Sequence, residues 1–191
     1  MKRKPICHVV AGPNGSGKST FALEYLPGYA GSIEYVNPDL VAQGLSPIDI
    51  NLAALKAGKL TLKRIAALIR DRADFGFETT LAGRGHLKLL AGAKEAGYAI
   101  HFYYLWMPSK VMLPPRIRHR VLAGGHDVPE KDVTRRYGRS IANVGEYAKL
   151  VDVLRVFDAS GIKQELLFTR NGKPLEFGSG RVRTMRKDLG I

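Results

Sequence analysis

The stretch AGPNGSGKST, residues 11–20, restricts what this chain can fold into more than any other part of it. Gly12, Gly17, Lys18 and Ser19 satisfy the spacing G-x-x-x-x-G-K-[ST], with Pro13, Asn14, Gly15 and Ser16 between them and Thr20 following. The apolar run ICHVVAG before it reads as a buried strand, and Ser19 to Leu26 after it carries helical periodicity. A strand that turns through such a loop into a helix aims backbone N–H groups and the positive end of the helix dipole at one point, where phosphate is stabilised. A glycine turn without that duty needs neither the lysine nor the hydroxyl beside it. In this pattern Lys18 reaches the β- and γ-phosphates of a nucleotide and Ser19 is a ligand of Mg²⁺, so ATP and Mg²⁺ are the expected cofactors.

Four more apolar runs follow: IEYVN, GFETTL, YAIHFYYLW and VDVLRVFDA. Segments of helical periodicity separate them: 48–73, continuous or broken at Gly58, 86–96, 109–122, and 130–150 in one or two pieces. Strands alternating with helices imply parallel β-α-β units. KQELLFTRNGKPLEF then reads as a terminal hairpin at the sheet edge, because NG between apolar stretches is a strong turn signal. The expected fold is α/β: a three-layer P-loop arrangement with a mostly parallel sheet of five to six strands. With no repeat or composition break, residues 1–191 are read as a single domain.

Composition narrows the function. A chain of 191 residues with 45% hydrophobic content buries a core without staples. Cys7 is its one thiol, which excludes an internal disulfide and a cysteine-rich zinc cluster and favours a reducing, cytoplasmic setting. The apolar run at 6–11 is too short for a signal core, and no stretch approaches the roughly 18 apolar residues of a membrane span. A net charge of +13 predicts attraction to polyanions, either nucleic acid or multiply phosphorylated small molecules. Much of it lies at Arg116, Arg118, Arg120, Arg135, Arg136 and Arg139, and a second group at Arg181, Arg183, Arg186 and Lys187 reads as a solvated basic face.

Two carboxylates stand out. Asp39, in YVNPDLVAQGLSP, follows the second strand at the edge where open α/β sheets hold ligands. It reads equally as the cap of a helix starting at Leu40 and as a general base near a γ-phosphate. Glu78 sits among apolar and hydroxyl residues in FGFETTLAGR, where a charge needs a partner or a purpose. Thr79 and Thr80 also read as strand formers and Arg84 as a loop charge. Tyr103, Tyr104 and Trp106 read as core packing in preference to a base-stacking platform.

Together, GPNGSGKST, NPDLVAQGLSP, FETTLAGR and RHRVLAGGHDVPEKDVTRRYGRS resemble the zeta toxins, P-loop kinases of toxin–antitoxin pairs that phosphorylate nucleotide sugars such as UDP-N-acetylglucosamine. The resemblance runs in family order from about Ala11 to Asp158 and is closest to the compact bacterial branch. It implies Asp39 as general base for the acceptor hydroxyl, Glu78, Thr80 and Arg84 as acceptor contacts, and a helical lid whose arginines clamp the γ-phosphate. Arg120 and Arg135 are the implied clamp, with Arg116 and Arg136 beside them at the nucleotide. Asp127 and Pro129 are expected to start the second lid helix, with Gly124, Gly125 and His126 as a hinge. The implied partners are a nucleotide-sugar or other phosphorylated acceptor and a cognate antitoxin. A nucleic-acid-associated P-loop ATPase or nucleotide-binding module is the alternative that the charge keeps open.

Overall fold

Apolar residues on both sides of β1 (Ile6–Ala11) put that strand in the middle of the molecule. The computed structural model describes residues 3–31, 33–125 and 127–191. Among them β2 (Glu34–Val36), β3 (Phe75–Thr79), β4 (Ala99–Trp106), β5 (Val153–Asp158), β6 (Glu165–Asn171) and β7 (Lys173–Glu176) join β1 in one sheet of order β2-β3-β1-β4-β5-β6-β7. The first five strands run parallel, and β6 and β7 add the antiparallel edge expected of the NG hairpin, turning at Gly172 with φ 80°.

Strand period decides the layers. Cys7, Val9 and Ala11 face one side with Phe75, Phe77, Ile100 and Phe102. There they pack against α3 (Ile50–Arg70), α4 (Gly85–Glu95), the C-terminal part of α6 (Glu130–Ala148) and α7 (Ser179–Leu189). Val10, Tyr103, Leu105 and Phe157 face the other side, against α1 (Lys18–Ala30), α5 (Leu113–Leu122) and Val133 of α6. The result is the three-layer α/β arrangement, with every β1 residue from Cys7 to Ala11 buried. Tyr103, Tyr104 and Trp106 are core residues, at most 1% exposed.

Helix boundaries settle open alternatives or depart from the sequence reading in four places. α1 continues past Pro27 to Ala30. A separate α2 (Pro38–Leu45) precedes α3, and α3 runs through Gly58 unbroken because its buried stripe of Ala53, Ala57, Thr61, Ile65 and Leu68 outweighs one glycine's propensity cost of about 1 kcal/mol. α6 is one helix, and Asp127 does not cap it: the Asp127 carboxylate accepts from the adjacent Val128 N–H. The C-terminal basic group is a helix, α7, whose Val182, Met185 and Leu189 enter the core.

Candidate active site

Parallel pairing brings the ends of β3, β1 and β4 to one edge of the sheet, and Gly12 N–H bonds back to Thr79 O at 3.2 Å. The loop from Gly12 to Gly17 leaves that edge and feeds α1. Its glycines are needed sterically. Gly12 adopts φ 153°, and a Cβ there would stand 2.8 Å from Leu105 O and from Ser16 Oγ. Gly17 takes φ 85° as the N-cap of α1 without any side-chain cap, which leaves the helix's first N–H groups for a ligand.

Lys18 is buried, and its Nζ folds back onto Pro13 O at 3.1 Å. Burial pulls its pKa below the ordinary lysine value, Glu78 and Asp39 oppose that, and Arg120 and Arg136 add to it. One ammonium therefore feels two carboxylates and two guanidiniums, a balance that an arriving polyphosphate shifts toward the cation.

Glu78 is 5% exposed and is satisfied locally: Ser19 Oγ donates to its Oε2 at 2.9 Å and Tyr35 Oη at 3.3 Å. The Tyr35 ring gets there by lying across Gly76, where a Cβ would stand 2.9 Å from the ring. Burial and the Glu78 charge push the Tyr35 phenol well above its usual pKa, so it stays a donor. Asn37, not Asp39, caps α2, its side chain accepting from Asp39 N–H and Leu40 N–H. Asp39 is thus relieved of the cap role and stands in the first turn of α2, on the wall of the cleft.

The cleft holds about 360 Å³ and is walled by the phosphate loop, Asp39, Glu78, Arg116, His119, Arg120 and the segment around Gly161, Ile162 and Gln164. Arg116 and Arg120 of α5 share that wall with different commitments. The Arg116 guanidinium donates to Ala159 O at 2.6 Å, Ser160 O at 3.2 Å and Gly161 O at 2.6 Å, tying α5 to the loop after β5. Arg120 is accommodated because Gly125 has no side chain: a Cβ there would stand 2.6 Å from Arg120 Cγ. Gly124, with φ 85°, and Gly125 close the end of α5 around that arginine, and His126 lies outside the described residues.

Four expected contacts lie away from the cleft wall. Arg84 Nε donates to Asn143 Oδ1 at 3.2 Å, and Arg135 pairs with Asp132 one turn away at 2.9 Å, each drawn to an acceptor on α6. Thr80 is half-buried just past β3, before Leu81, which holds a left-handed φ of 57° between Thr79 Oγ1 and Asn143. Arg136 reaches the site through its field on Lys18. Sequence reasoning missed Asn37, Tyr35, His119 and the 161–164 segment. The Asn-Pro pair is a recognisable helix start and signalled the first, whereas the others become neighbours only when β2 and β5 pair with their partners.

A likeness to solved structures accompanies this geometry. A chain of the PezAT chromosomal toxin–antitoxin system of Streptococcus pneumoniae superposes with TM-score 0.66 at 14% identity, over 99% of this chain and 80% of that one. AvrRxo1-ORF1:-ORF2 with ATP gives 0.68 at 14% identity, over 97% and 64%. A gluconokinase from Sinorhizobium meliloti 1021 gives 0.51 at 19% identity, over 99% and 94%. The fold is that of the P-loop kinases. No protein-family model matches the sequence. An uncharacterized protein of Haemophilus influenzae is 32% identical over 137 residues, which make up 72% of this chain and 94% of that protein, and the chain belongs to that protein's family.

Proposed function

We propose that this chain is an ATP-dependent small-molecule kinase of the zeta toxin type. The observation that carries the reading is one cleft in which the phosphate loop with Lys18 and Ser19, the carboxylates Asp39 and Glu78, and Arg120 share a wall. Neighbours described as toxin–antitoxin and ATP-bound proteins, and as a gluconokinase, support it. In the reaction, the acceptor hydroxyl oxygen bonds to the γ-phosphorus as the bond to the β,γ-bridging oxygen breaks. The hydroxyl proton passes to the Asp39 carboxylate, and ADP and a phosphate monoester leave. Lys18 holds the β- and γ-phosphates, and Arg120, with Arg136 behind it, offsets the charge on the transferring group.

Ser19 Oγ and the adjacent Glu78 carboxylate are hard oxygen donors suited to Mg²⁺, which keeps most of its other sites for phosphate and water. When bound, the ion supplies charge neutralisation at the β- and γ-oxygens. In this reading Glu78 serves the metal side more than the acceptor, because its carboxylate already accepts from Ser19. Arg116 orders the loop after β5 that borders the nucleotide. Arg84 and Thr80 on the acceptor side, and Arg135 at the γ-phosphate, are proposed on the zeta toxin resemblance alone. The proposed acceptor is a nucleotide sugar, UDP-N-acetylglucosamine first, and the proposed protein partner is a cognate antitoxin.

The test is mass-spectrometric detection of phosphorylated product from ATP, Mg²⁺ and a panel of nucleotide sugars. Wild-type protein is expected to form it, and Asp39→Asn to bind ATP normally while forming at least about a hundredfold less. No product from any acceptor with wild-type protein, in the panel or in a cell extract, would refute the kinase reading. RNA- or DNA-stimulated ATP hydrolysis in its place would favour the nucleic-acid alternative.

A further inference from the structure

Asn37 is 5% exposed at the junction of β2 and α2, and both ends of its amide are engaged. Oδ1 accepts from Asp39 N–H at 2.9 Å and Leu40 N–H at 3.1 Å. Nδ2 donates to Ser19 Oγ at 3.2 Å. Ser19 Oγ donates its single hydroxyl proton in a hydrogen bond to Glu78 Oε2 at 2.9 Å. A hydroxyl has one proton and two lone pairs. With the O–H directed at Glu78 and one lone pair facing Asn37, a single lone pair is left to meet a cation.

We propose that Asn37 is a positioning residue that couples the two halves of the site, orienting the Ser19 oxygen for Mg²⁺ while anchoring the helix turn that carries Asp39. The inference rests on the kinase reading above. Few side chains can perform both tasks. An aspartate caps equally well but has no proton to donate to Ser19, and a serine caps but is too short to reach it. Pro38 at the first helical position assists, since it removes a backbone N–H that the cap would otherwise have to satisfy. Parallel pairing of Val36 with Phe77 holds Asn37 level with the strand of Glu78.

The expected consequence is separable from simple structural support. Asn37→Ser keeps a capping hydroxyl, so its thermal midpoint should fall less than that of Asn37→Ala. The Mg²⁺ concentration giving half-maximal binding of a fluorescent ATP analogue should rise about tenfold. Asn37→Ala should show the same Mg²⁺ shift together with a lowered midpoint. In the ligand-free protein, Ser19→Ala and Asn37→Ser should be non-additive in thermal unfolding, as contacting residues are.

Unshifted Mg²⁺ dependence in Asn37→Ser, or additivity in the cycle, overturns the assignment while leaving the kinase reading intact. A wild-type protein that binds the ATP analogue with no Mg²⁺ dependence overturns both.

Discussion

α5 and α7 are both short helices dense in arginine, LPPRIRHRVL and SGRVRTMRKDL, and the molecule uses them in opposite ways. On α5, Arg116 and Arg120 wall the phosphate cleft, and no acidic side chain lies on the helix itself. On α7, Arg181 pairs with Asp158, and Arg186 pairs with Glu176 at 2.7 Å and lies over the Phe168 ring. Asp158 is 2% exposed; burial works to raise its pKa, but hydrogen bonds from Ser160 and Arg181 hold it below the usual carboxylate value. A basic helix whose arginines reach carboxylates on neighbouring strands supports the fold, whereas one whose arginines line a cleft beside an open helix N-terminus sets the field that an anion meets there. Composition alone does not distinguish the two.

The largest expected effect comes from breaking the α5 side. Arg120→Ala should lower turnover at least about a hundredfold, as loss of a cation at a developing negative charge does, measured as steady-state kcat with the acceptor found above. The opposite result, full turnover with a lowered thermal midpoint, would make α5 a structural helix like α7.

Acid tests what the interior tolerates when no ligand is due. His8 is buried in β1, with its Nδ1 3.0 Å from Tyr103 Oη and the His101 ring centroid 5.3 Å away. Burial, helped by His101 and Arg155 and opposed by Asp74, lowers its pKa from an ordinary 6.5 to about 4. Between those values the unfolded chain binds more protons than the folded one, so stability is full above about pH 6.5 and falls as pH drops toward 4. The loss attributable to His8 is of order 3 kcal/mol, read from denaturant unfolding across that window. Replacing His8 with glutamine should flatten the profile, and an unchanged slope would assign it to other groups.

Smaller effects belong to α7. Asp158→Asn should cost about 1–3 kcal/mol of unfolding free energy, since Arg181 loses its charged acceptor and a buried polar group is left poorly matched. Arg183→Ala, whose side chain is exposed and for which no ion pair is recorded among the described residues, should leave both denaturation and nucleotide binding within error. Equal losses from Arg183→Ala and Asp158→Asn would erase the distinction between α7's paired and solvated charges.

Much of the architecture was legible from local signals: a strand-loop-helix around Gly12–Ser19, apolar runs at the right spacing, and an NG hairpin at the edge. These depend on residues close in sequence, where periodicity and turn chemistry are decisive. The start of α2 was legible, with its cap placed at Asp39 where Asn37 holds it, but α7 was not legible as a helix, because it has polar and basic residues around its three core anchors. The sequence by itself determined the phosphate loop, the parallel sheet and the two carboxylates worth attention. Only the tertiary structure decided that Asp39 stands on the cleft wall and that Glu78 accepts from Ser19. It also decided that Arg84 and Arg135 turn to α6 while Arg120 stays at the cleft. The Arg135–Asp132 pair is local to one helix turn, but the other outcomes depend on which donors and acceptors from distant segments meet when β2, β3 and β1 align, and no local pattern encodes that competition.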